Sequence, residues 1–381
     1  MEKIKHILVV AGEASGDLHA ANLTQALKLI KPELTISGIG GTLMRNAGAE
    51  IYYDIKDLSV LGVFDVFKKL PRFITLQHLI LQKIEEKRTD AIILVDFSGF
   101  NLRLAKKINK KIPTIYYISP QVWASRTGRV KTIKKYISKM IVILKFEEEF
   151  YKRYGIDVDF AGHPLLDIVK PTMEKKEALA KFYLSESKTT IALLPGSRKT
   201  EIEHILPIML KTSLFLQNRK KDIQFVIAKY PGIDWDIYNR KINGLKIDLK
   251  VIEGKTYDCL NIADFCMVAS GTATLETSIM EKPFVIIYKM GLLNYLFYRP
   301  QVKVSCIGMV NILAGRQIVP EFIQFKTNPK EISEEILQIL ENPSRIERIK
   351  KDLALIKSLL GEKGASEKAA QIIVDFLETR S

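Results

Sequence analysis

The sequence has few of the residues and patterns that mark several common protein classes. Its three cysteines, Cys259, Cys266 and Cys306, follow neither a metal-ligand nor a disulfide-framework spacing, which suits a reducing cytoplasm. The longest uncharged run, between Lys111 and Arg126, falls short of the roughly 18 residues of a membrane span. The first glycine turn fits neither GxGxxG nor a P-loop. These absences argue against a disulfide-stapled secreted domain and a helical membrane protein.

Acidic residues are also few relative to basic ones. Lysine and arginine number 58 against 43 aspartates and glutamates, which gives a net charge of +15. Such an excess favours a polyanionic partner, either nucleic acid or a membrane surface with anionic lipids, although lysine-rich composition can account for part of it. No zinc knuckle, RNP-type aromatic strand or basic heptad supports nucleic acid. The N-terminus enters an apolar strand without a signal-peptide cleavage site, so we expect a cytoplasmic protein.

Apolar runs, glycine turns and helix patterns alternate along the chain in two series. A strand over residues 5–11, a turn over 12–17 and a helix over about 18–29 open the first series, and a strand over 190–194 opens the second. This alternation predicts an α/β fold with two Rossmann-like, doubly wound domains facing a cleft. We expect a first domain over 1–165, a linker over 166–187, a second domain over 188–345, and C-terminal helices over 346–381 that pack back across both domains.

A small-residue turn in the second series is a candidate anion site. Ser270, Gly271 and Thr272 follow an apolar strand and precede a helix, whose unpaired N–H groups and dipole suit a diphosphate. Glu276, about one helical turn further on, can accept two hydrogen bonds from vicinal hydroxyls such as those of a ribose. The alternative is an ordinary βαβ turn with a solvated Glu276.

Three cations and an amide are expected near the same sheet edge. Arg198 lies in a Pro-Gly-Ser-Arg turn and suits a pyrophosphate, unless it pairs with Glu201 or Glu203. Lys289 follows another strand, and Asn311 and Arg316 lie within and after an apolar run. A buried asparagine requires a ligand or a backbone partner. Because no D-x-D pair accompanies this set, it predicts a nucleotide-diphosphate pocket without a metal.

Acidic residues are expected at the sheet edge of the first domain. Glu13, Ser15 and Asp17 crowd the first glycine turn, where they either bind a ligand or cap the following helix. Asp96 ends an apolar strand, a position at which an acid is rarely needed for stability and is a natural general base.

The segment over residues 58–73 combines apolar mass with cations. That pattern fits either a buried helix or a segment dipping into a membrane interface. Its candidate membrane-contact residues are Val63, Phe64, Phe67, Lys68, Lys69 and Arg72. The basic stretch over 126–139 is either a solvated helix face or a surface for lipid headgroups.

Seven motifs, in order and at fitting spacing, together carry a resemblance to a known family. They are AGEASGD (11–17), GIGG (38–41), SPQVW (119–123), GHP (162–164), LPGSR (194–198), ASGTA (269–273) with Glu276, and NILAGR (311–316). The chain resembles the lipid-A-disaccharide synthases over essentially its whole length. Each motif alone is weak, but the joint match is specific.

The resemblance implies an inverting, metal-independent and cofactor-independent glycosyltransferase of the two-domain GT-B type (family 19). Its substrates would be UDP-2,3-diacylglucosamine and 2,3-diacylglucosamine 1-phosphate (lipid X), and its products a β-1,6-linked disaccharide 1-phosphate and UDP. It further implies a peripheral protein on the inner face of the bacterial inner membrane and allows a homodimer. Because both substrates are acylated, it favours membrane contact for residues 58–73.

Site residues carried over by the resemblance fall into two groups. The donor-nucleotide motifs match Arg198, Ser270–Thr272, Glu276, Asn311 and Arg316, and acceptor binding falls to Ser15, Asp17 and Asn101. Many family members carry Asp-x-Pro-Asp-Phe-Asn where this chain has Asp96-Phe-Ser-Gly-Phe-Asn101. Gly99 thus replaces the second acid, the usual candidate base. Asp96 remains as the candidate, with Glu13 in reserve.

Two further functions stay open from the sequence. One is another GT-B enzyme, such as a UDP-GlcNAc 2-epimerase or a different sugar transferase. The other is a non-catalytic, membrane-associated protein that binds a nucleotide sugar. Nucleic-acid binding is a more distant alternative.

Overall fold

The chain divides into two compact units. The computed structural model describes the backbone of residues 4–58, 63–301 and 304–380, and their side chains except at 57, 58, 63–70, 294, 297, 298 and 301. The first unit contains the residues up to Asp167 together with those from Leu360 onward, and the second contains Ile168–Leu359.

The first unit is built on a parallel sheet of seven strands in the order β3-β2-β1-β4-β5-β6-β7. Its strands are β1 (His6–Ala11), β2 (Thr35–Gly40), β3 (Glu50–Asp54), β4 (Ala91–Val95), β5 (Thr114–Tyr117), β6 (Lys139–Val142) and β7 (Asp159–Phe160). Every residue of β1 and β4 is buried, as expected for apolar strands of a sheet covered on both faces. The strand order reverses between β1 and β4.

The second unit repeats this plan with six parallel strands in the order β10-β9-β8-β11-β12-β13. Its strands are β8 (Thr189–Leu194), β9 (Ile223–Lys229), β10 (Leu249–Glu253), β11 (Phe265–Ala269), β12 (Phe284–Tyr288) and β13 (Glu321–Ile323). Here the order reverses between β8 and β11. The prediction of two doubly wound α/β domains is confirmed, and each sheet has one reversal point, where open α/β sheets bind ligands.

Helices connect the strands. Up to the boundary between the units they are α1 (Ala14–Ile30), α2 (Thr42–Asn46), α3 (Val63–Glu86), α4 (Ser98–Ile108), α5 (Val130–Tyr136), α6 (Phe146–Lys152) and α7 (Leu165–Ile168). Beyond it they are α8 (Lys175–Lys181), α9 (Lys199–Arg219), α10 (Trp235–Ile242), α11 (Thr256–Ile262), α12 (Thr272–Ile279), α13 (Leu292–Tyr298), α14 (Met309–Ala314), α15 (Pro329–Leu340), α16 (Pro343–Leu359) and α17 (Ala365–Glu378). Within the ranges described, none combines the length and the hydropathy of a membrane span.

The division into units differs from the predicted limits at two places. The stretch predicted as a linker contains α8 and joins the second unit, because the carboxylate of Asp258 accepts hydrogen bonds from the N–H groups of Thr172 (2.6 Å) and Met173 (3.0 Å). The C-terminal helices separate at Leu360 and not at 346. Helix α16 packs on α12 and α14 in the second unit, whereas α17 packs on α1 in the first.

The segment predicted to contact a membrane enters α3. Residues 59–62, and the side chains of Val63, Phe64, Phe67, Lys68 and Lys69, lie outside the part of the chain that is described. Arg72 is exposed, while the ring of Phe73 packs 6.0 Å from that of Phe97 and 5.9 Å from that of Phe100. The described end of the segment therefore includes one residue that packs inward.

Candidate active site

Two glycine turns of the second unit meet at its reversal point. Strand β8 pairs with β11 so that Leu194 faces Val268, and the turns over 195–198 and 270–271 therefore leave the sheet side by side. Because all strands are parallel, the segments that follow β12 and β13 begin at the same edge. The sheet thus brings the turns that contain Arg198 and Gly271, and the segment that begins with Lys289, to one rim.

The turn after β11 is open. Gly271 has φ 149°, which disfavours any other residue, and a β-carbon built there would find no atom within 4 Å. The Ser270 hydroxyl donates to the carbonyl of Ile307 (3.4 Å) and its N–H to that of Ile287 (3.2 Å), which fixes the turn. The first N–H groups of α12, which have no intrahelical acceptor, are therefore accessible beside Gly271 and Thr272.

Glu276 lies in α12 and is partly buried, so it is not the solvated helix residue of the alternative interpretation. The hydroxyl of Tyr257 donates to its Oε1 (3.0 Å). Burial raises the pKa of Glu276, and the hydrogen bond from Tyr257 opposes that rise. Nothing in the sequence singles out Tyr257, on α11, because only the fold brings it next to Glu276.

Arg198 precedes α9 and pairs with Glu201. Its Nη1 lies 3.2 Å from Glu201 Oε1, and its side chain is 54% exposed. The second carboxylate oxygen of Glu201 accepts the N–H of Ser197 (3.1 Å) and of Arg198 (3.3 Å). The salt bridge left open by the sequence is thus formed. An exposed pair of this kind contributes about 0–1 kcal/mol, so an incoming anion can replace Glu201 at little cost.

Asn311 is buried in α14, and protein groups satisfy its amide. Its Nδ2 donates to Val319 O (2.9 Å) and to Glu321 Oε1 (2.8 Å), while its Oδ1 accepts the N–H groups of Ile318 (2.8 Å) and Val319 (3.0 Å). Glu321 also accepts the N–H of Gly308 (2.9 Å). Of the two partners the sequence allowed, ligand or backbone, the structure provides the second, so Asn311 holds the loop after α14 in place.

The other two predicted cations occupy different surroundings. Arg316 lies beyond α14 and donates to Asp352 Oδ1 on α16 (2.6 Å), with its side chain 59% exposed. Lys289 is partly buried and lines a pocket of about 470 Å³ between the segments that follow β12 and β13. Other residues lining this pocket are His204, Met290, Leu292, Gln324, Phe325 and Asn328.

Asp96 lies at the reversal point of the first unit, directly after β4. Asp96 and Phe97 have φ 46° and 39°, in the left-handed region that residues other than glycine rarely adopt, and such strain often marks functional positions. The carbonyl of Asp96 accepts hydrogen bonds from Asn101 Nδ2 (2.9 Å) and from the Tyr116 hydroxyl. These contacts hold a partly buried acid in a defined backbone position. Asn101 is fully buried and acts on that backbone.

The acids of the first glycine turn divide into two kinds. Helix α1 begins at Ala14, earlier than the predicted start at 18, so Ser15 and Asp17 belong to its first turn. Glu13 and Ser15 are exposed. Asp17 is buried and accepts the N–H groups of Gly41 (2.6 Å), Leu43 (3.1 Å) and Met44 (3.2 Å). It therefore caps α2, a different helix from the one expected, and the carboxylate is occupied by the protein.

An arginine cluster next to Asp96 was not identified in the sequence. Arg129 Nη1 donates to the hydroxyl of Ser98, the first residue of α4 (3.0 Å). Burial and the nearby charges of Arg126 and Arg103 lower the pKa of Arg129. A β-carbon at Gly99 would find no atom within 4 Å, so the start of α4 is open. A partly buried guanidinium among like charges, beside an open helix start, suits an anion.

A metal centre is not evident in the described part of the chain. Among the residues of 4–58, 63–301 and 304–380, no three or more His, Cys, Asp or Glu side chains are grouped so that they could hold a metal ion. The sites described above instead offer guanidinium groups, backbone N–H groups and carboxylates.

Comparison with known proteins gives the family. The sequence matches the family described as Lipid-A-disaccharide synthetase over residues 7–376. It is 42% identical to the lipid-A-disaccharide synthase of Syntrophus aciditrophicus (98% of each chain) and 40% identical to that of Geobacter sulfurreducens (97% of each). The S. aureus MnaA-UDP co-structure has a TM-score of 0.68 at 14% sequence identity, covering 98% of this chain and 97% of that one. The calicheamicin glycosyltransferase CalG4 has a TM-score of 0.62 at 15% sequence identity, covering 99% of each chain. These similarities show a shared fold. The chain therefore belongs to the lipid-A-disaccharide synthetase family.

Proposed function

We propose that this chain is a lipid-A-disaccharide synthase. It transfers 2,3-diacylglucosamine from its UDP derivative to the 6-hydroxyl of 2,3-diacylglucosamine 1-phosphate (lipid X), giving the β-1,6-linked disaccharide 1-phosphate and UDP. The observation that carries the mechanism is the pair of reversal points. One has an open helix start with an adjacent arginine, and the other has a positioned acid.

The donor binds at the second unit. Its diphosphate contacts the first N–H groups of α12 at Gly271 and the guanidinium of Arg198, which exchanges Glu201 for the ligand. Glu276 accepts the ribose hydroxyls with the carboxylate oxygen that does not bind Tyr257. Lys289, directly after β12, adds positive charge at the rim. These groups stabilise the negative charge that develops on the departing UDP.

The acceptor binds at the first unit. Asp96 takes the proton of the 6-hydroxyl as the oxygen attacks the anomeric carbon, the new C–O bond forming as the bond to UDP breaks, with inversion. Arg129, with Ser98 and Arg103, contacts the acceptor phosphate at the open start of α4. Glu13 is the alternative base. Because both substrates carry acyl chains, we further propose peripheral attachment to the inner membrane through residues 58–73.

The direct test is incubation of the purified protein with UDP-diacylglucosamine and lipid X, with the products weighed by mass spectrometry. We expect disaccharide 1-phosphate and UDP in equal amounts, and no UDP when lipid X is omitted. Release of UDP without an acylated acceptor would indicate a different sugar-nucleotide enzyme. Tight donor binding with no product would indicate a non-catalytic binding protein.

A further inference from the structure

The second unit exposes a group of large apolar side chains, which we call the leucine patch. Leu292, Leu293 and Leu296 of α13 are 53%, 73% and 58% exposed, and Phe325 is 76% exposed. Isolated exposed leucines are common on protein surfaces, but a contiguous apolar patch marks a contact surface. Leu292 and Phe325 also line the pocket that contains Lys289. None of the four side chains has a role in the donor and acceptor binding proposed above.

Contacts between two segments make the patch one surface. Helix α13 follows β12, and Phe325 follows β13. The ring of Tyr295 stands edge-on to that of Phe325, with centroids 5.7 Å apart and an interplanar angle of 88°. The side chain of Gln324 accepts the N–H of Met290 (3.2 Å) and donates to its carbonyl (3.0 Å). These contacts hold the segment with α13 and the segment with Phe325 together.

Three cations adjoin the residues of the patch in sequence. Helix α13 contains no charged residue, while Arg299 directly after it and Lys326 directly after Phe325 are exposed, and Lys289 lies before it. An apolar surface with a cationic border matches a bilayer, whose acyl region accepts the leucines and whose anionic headgroups attract the lysine and arginine. A cationic border is less suited to a second copy of this chain, which has a net charge of +15.

We propose that the leucine patch is a membrane-docking face of the second unit that binds bilayers containing anionic lipids. Leu293, Leu296 and Phe325 enter the boundary between headgroups and acyl chains, and Arg299 and Lys326 contact the headgroups. This surface belongs to the second unit, whereas residues 58–73 belong to the first. It does not depend on the proposed reaction, although it places the pocket that contains Lys289 beside the membrane.

The test uses the full chain and two kinds of vesicle, phosphatidylethanolamine with phosphatidylglycerol, and phosphatidylcholine alone. Partition is measured by co-sedimentation for the wild type, for Leu293→Ser with Leu296→Ser, and for Leu355→Ser, a control on α16 with the same 58% exposure as Leu296. Because the double variant removes two leucine side chains that enter the acyl region, we expect it to bind anionic vesicles at least about tenfold more weakly. We expect Leu355→Ser to bind as the wild type does.

Two further measurements separate the alternatives. Arg299→Glu with Lys326→Glu should weaken binding to the anionic vesicles and leave binding to phosphatidylcholine little changed. Light scattering without lipid gives the oligomeric state. Unchanged vesicle binding by the leucine double variant, or loss of a dimer in that variant with vesicle binding retained, would overturn the proposal. Product formation in detergent should be unchanged in all these variants, so failure of this proposal and failure of the proposed reaction are distinguishable.

Discussion

The two units use one architectural plan in different ways, and two glycines show how. Gly12 and Gly271 each follow a central strand at a reversal point and precede a helix. A methyl group at Gly12 would overlap the ring of Phe97, whereas one at Gly271 would meet nothing within 4 Å. The turn of the first unit is filled by the protein itself, and that of the second is left open.

The difference shows that a strand–glycine–helix pattern has two meanings. In the first unit the glycine allows an aromatic ring to pack against the backbone, beside the strained Asp96 and Phe97. In the second it leaves room for a ligand at the start of α12. Close packing at Gly12 holds the backbone beside Asp96 in place, whereas the open space at Gly271 leaves room for the diphosphate of the donor. The following predictions test this contrast.

The largest expected effect is on catalysis. Asp96→Asn keeps the shape of the side chain and removes the base, so we expect turnover to fall about 10²–10⁴-fold with the affinity for UDP unchanged. Glu13→Gln, an exposed acid at the same reversal point, is the matched control and should retain most of the activity. Initial rates from product mass and titration with UDP measure both effects. Near-native turnover in Asp96→Asn would exclude it as the base.

A pair of glycine variants tests the contrast directly. Gly271→Ala places a methyl group in the open turn at φ 149°, and we expect the dissociation constant for UDP to rise about tenfold, or ~1.4 kcal/mol. Gly12→Ala should instead lower the free energy of unfolding by about 1–3 kcal/mol, because the Phe97 ring must move. Calorimetric titration and thermal melts separate the two. If both variants lose only stability, the turn after β11 does not bind the nucleotide.

A smaller loss of stability is expected from the capping acid of the first unit. Asp17→Asn leaves one oxygen where a carboxylate accepts three N–H groups, so we expect the free energy of unfolding to fall by about 1–2 kcal/mol. Ser15→Ala, on the exposed side of the same turn, should change it little. Denaturant melts measure the difference. Should Asp17→Asn melt as the wild type and lose affinity for lipid X, Asp17 would contact the acceptor directly.

The smallest effect depends on pH. Glu147 is 1% exposed and accepts the indole N–H of Trp123 (3.2 Å), and burial raises its pKa to about 7 from 4.5. Between those values the folded chain keeps a proton that the unfolded chain has released. The free energy of unfolding therefore falls as the pH rises from 4.5 to about 7. Relative to the wild type, Glu147→Gln should therefore gain a few degrees in Tm at pH 8 compared with pH 5. An equal Tm difference at both pH values would show that Glu147 is not protonated in the folded chain at pH 5.

Much of the fold was predictable, since apolar strands and glycine turns have local signatures. The sequence placed Asp96 and Gly271 at sheet edges, and the parallel pairing of β1 with β4 and of β8 with β11 brings those edges to the reversal points. The pairing of side chains was not predictable in the same way. Which N–H groups Asp17 meets depends on a helix 24 residues further along, and Arg129 reaches Ser98 across 31 residues.

The leucine patch was missed for a related reason. Residues 292–298 have the composition of a core helix, and nothing local indicates that the structure leaves Leu292, Leu293 and Leu296 exposed. Residues 58–73 were identified because cations interrupt the apolar run itself. In α13 the cations flank the helix, and Phe325 comes from another loop. The pairing of β12 with β13 brings α13 and Phe325 together, so the surface cannot be recognised from either segment alone.

Helix α17 has a consequence for biosynthesis. It covers α1 with buried residues such as Ala369 and Ile373, and Lys31 on one side is paired with Glu378 on the other (2.6 Å). The ribosome releases it only after every residue of the second unit has emerged. The second unit, continuous in sequence, can complete its folding first. Until α17 emerges, the nascent N-terminal unit exposes the side of α1 that α17 covers in the folded protein, and a chaperone that binds apolar surface would bind there.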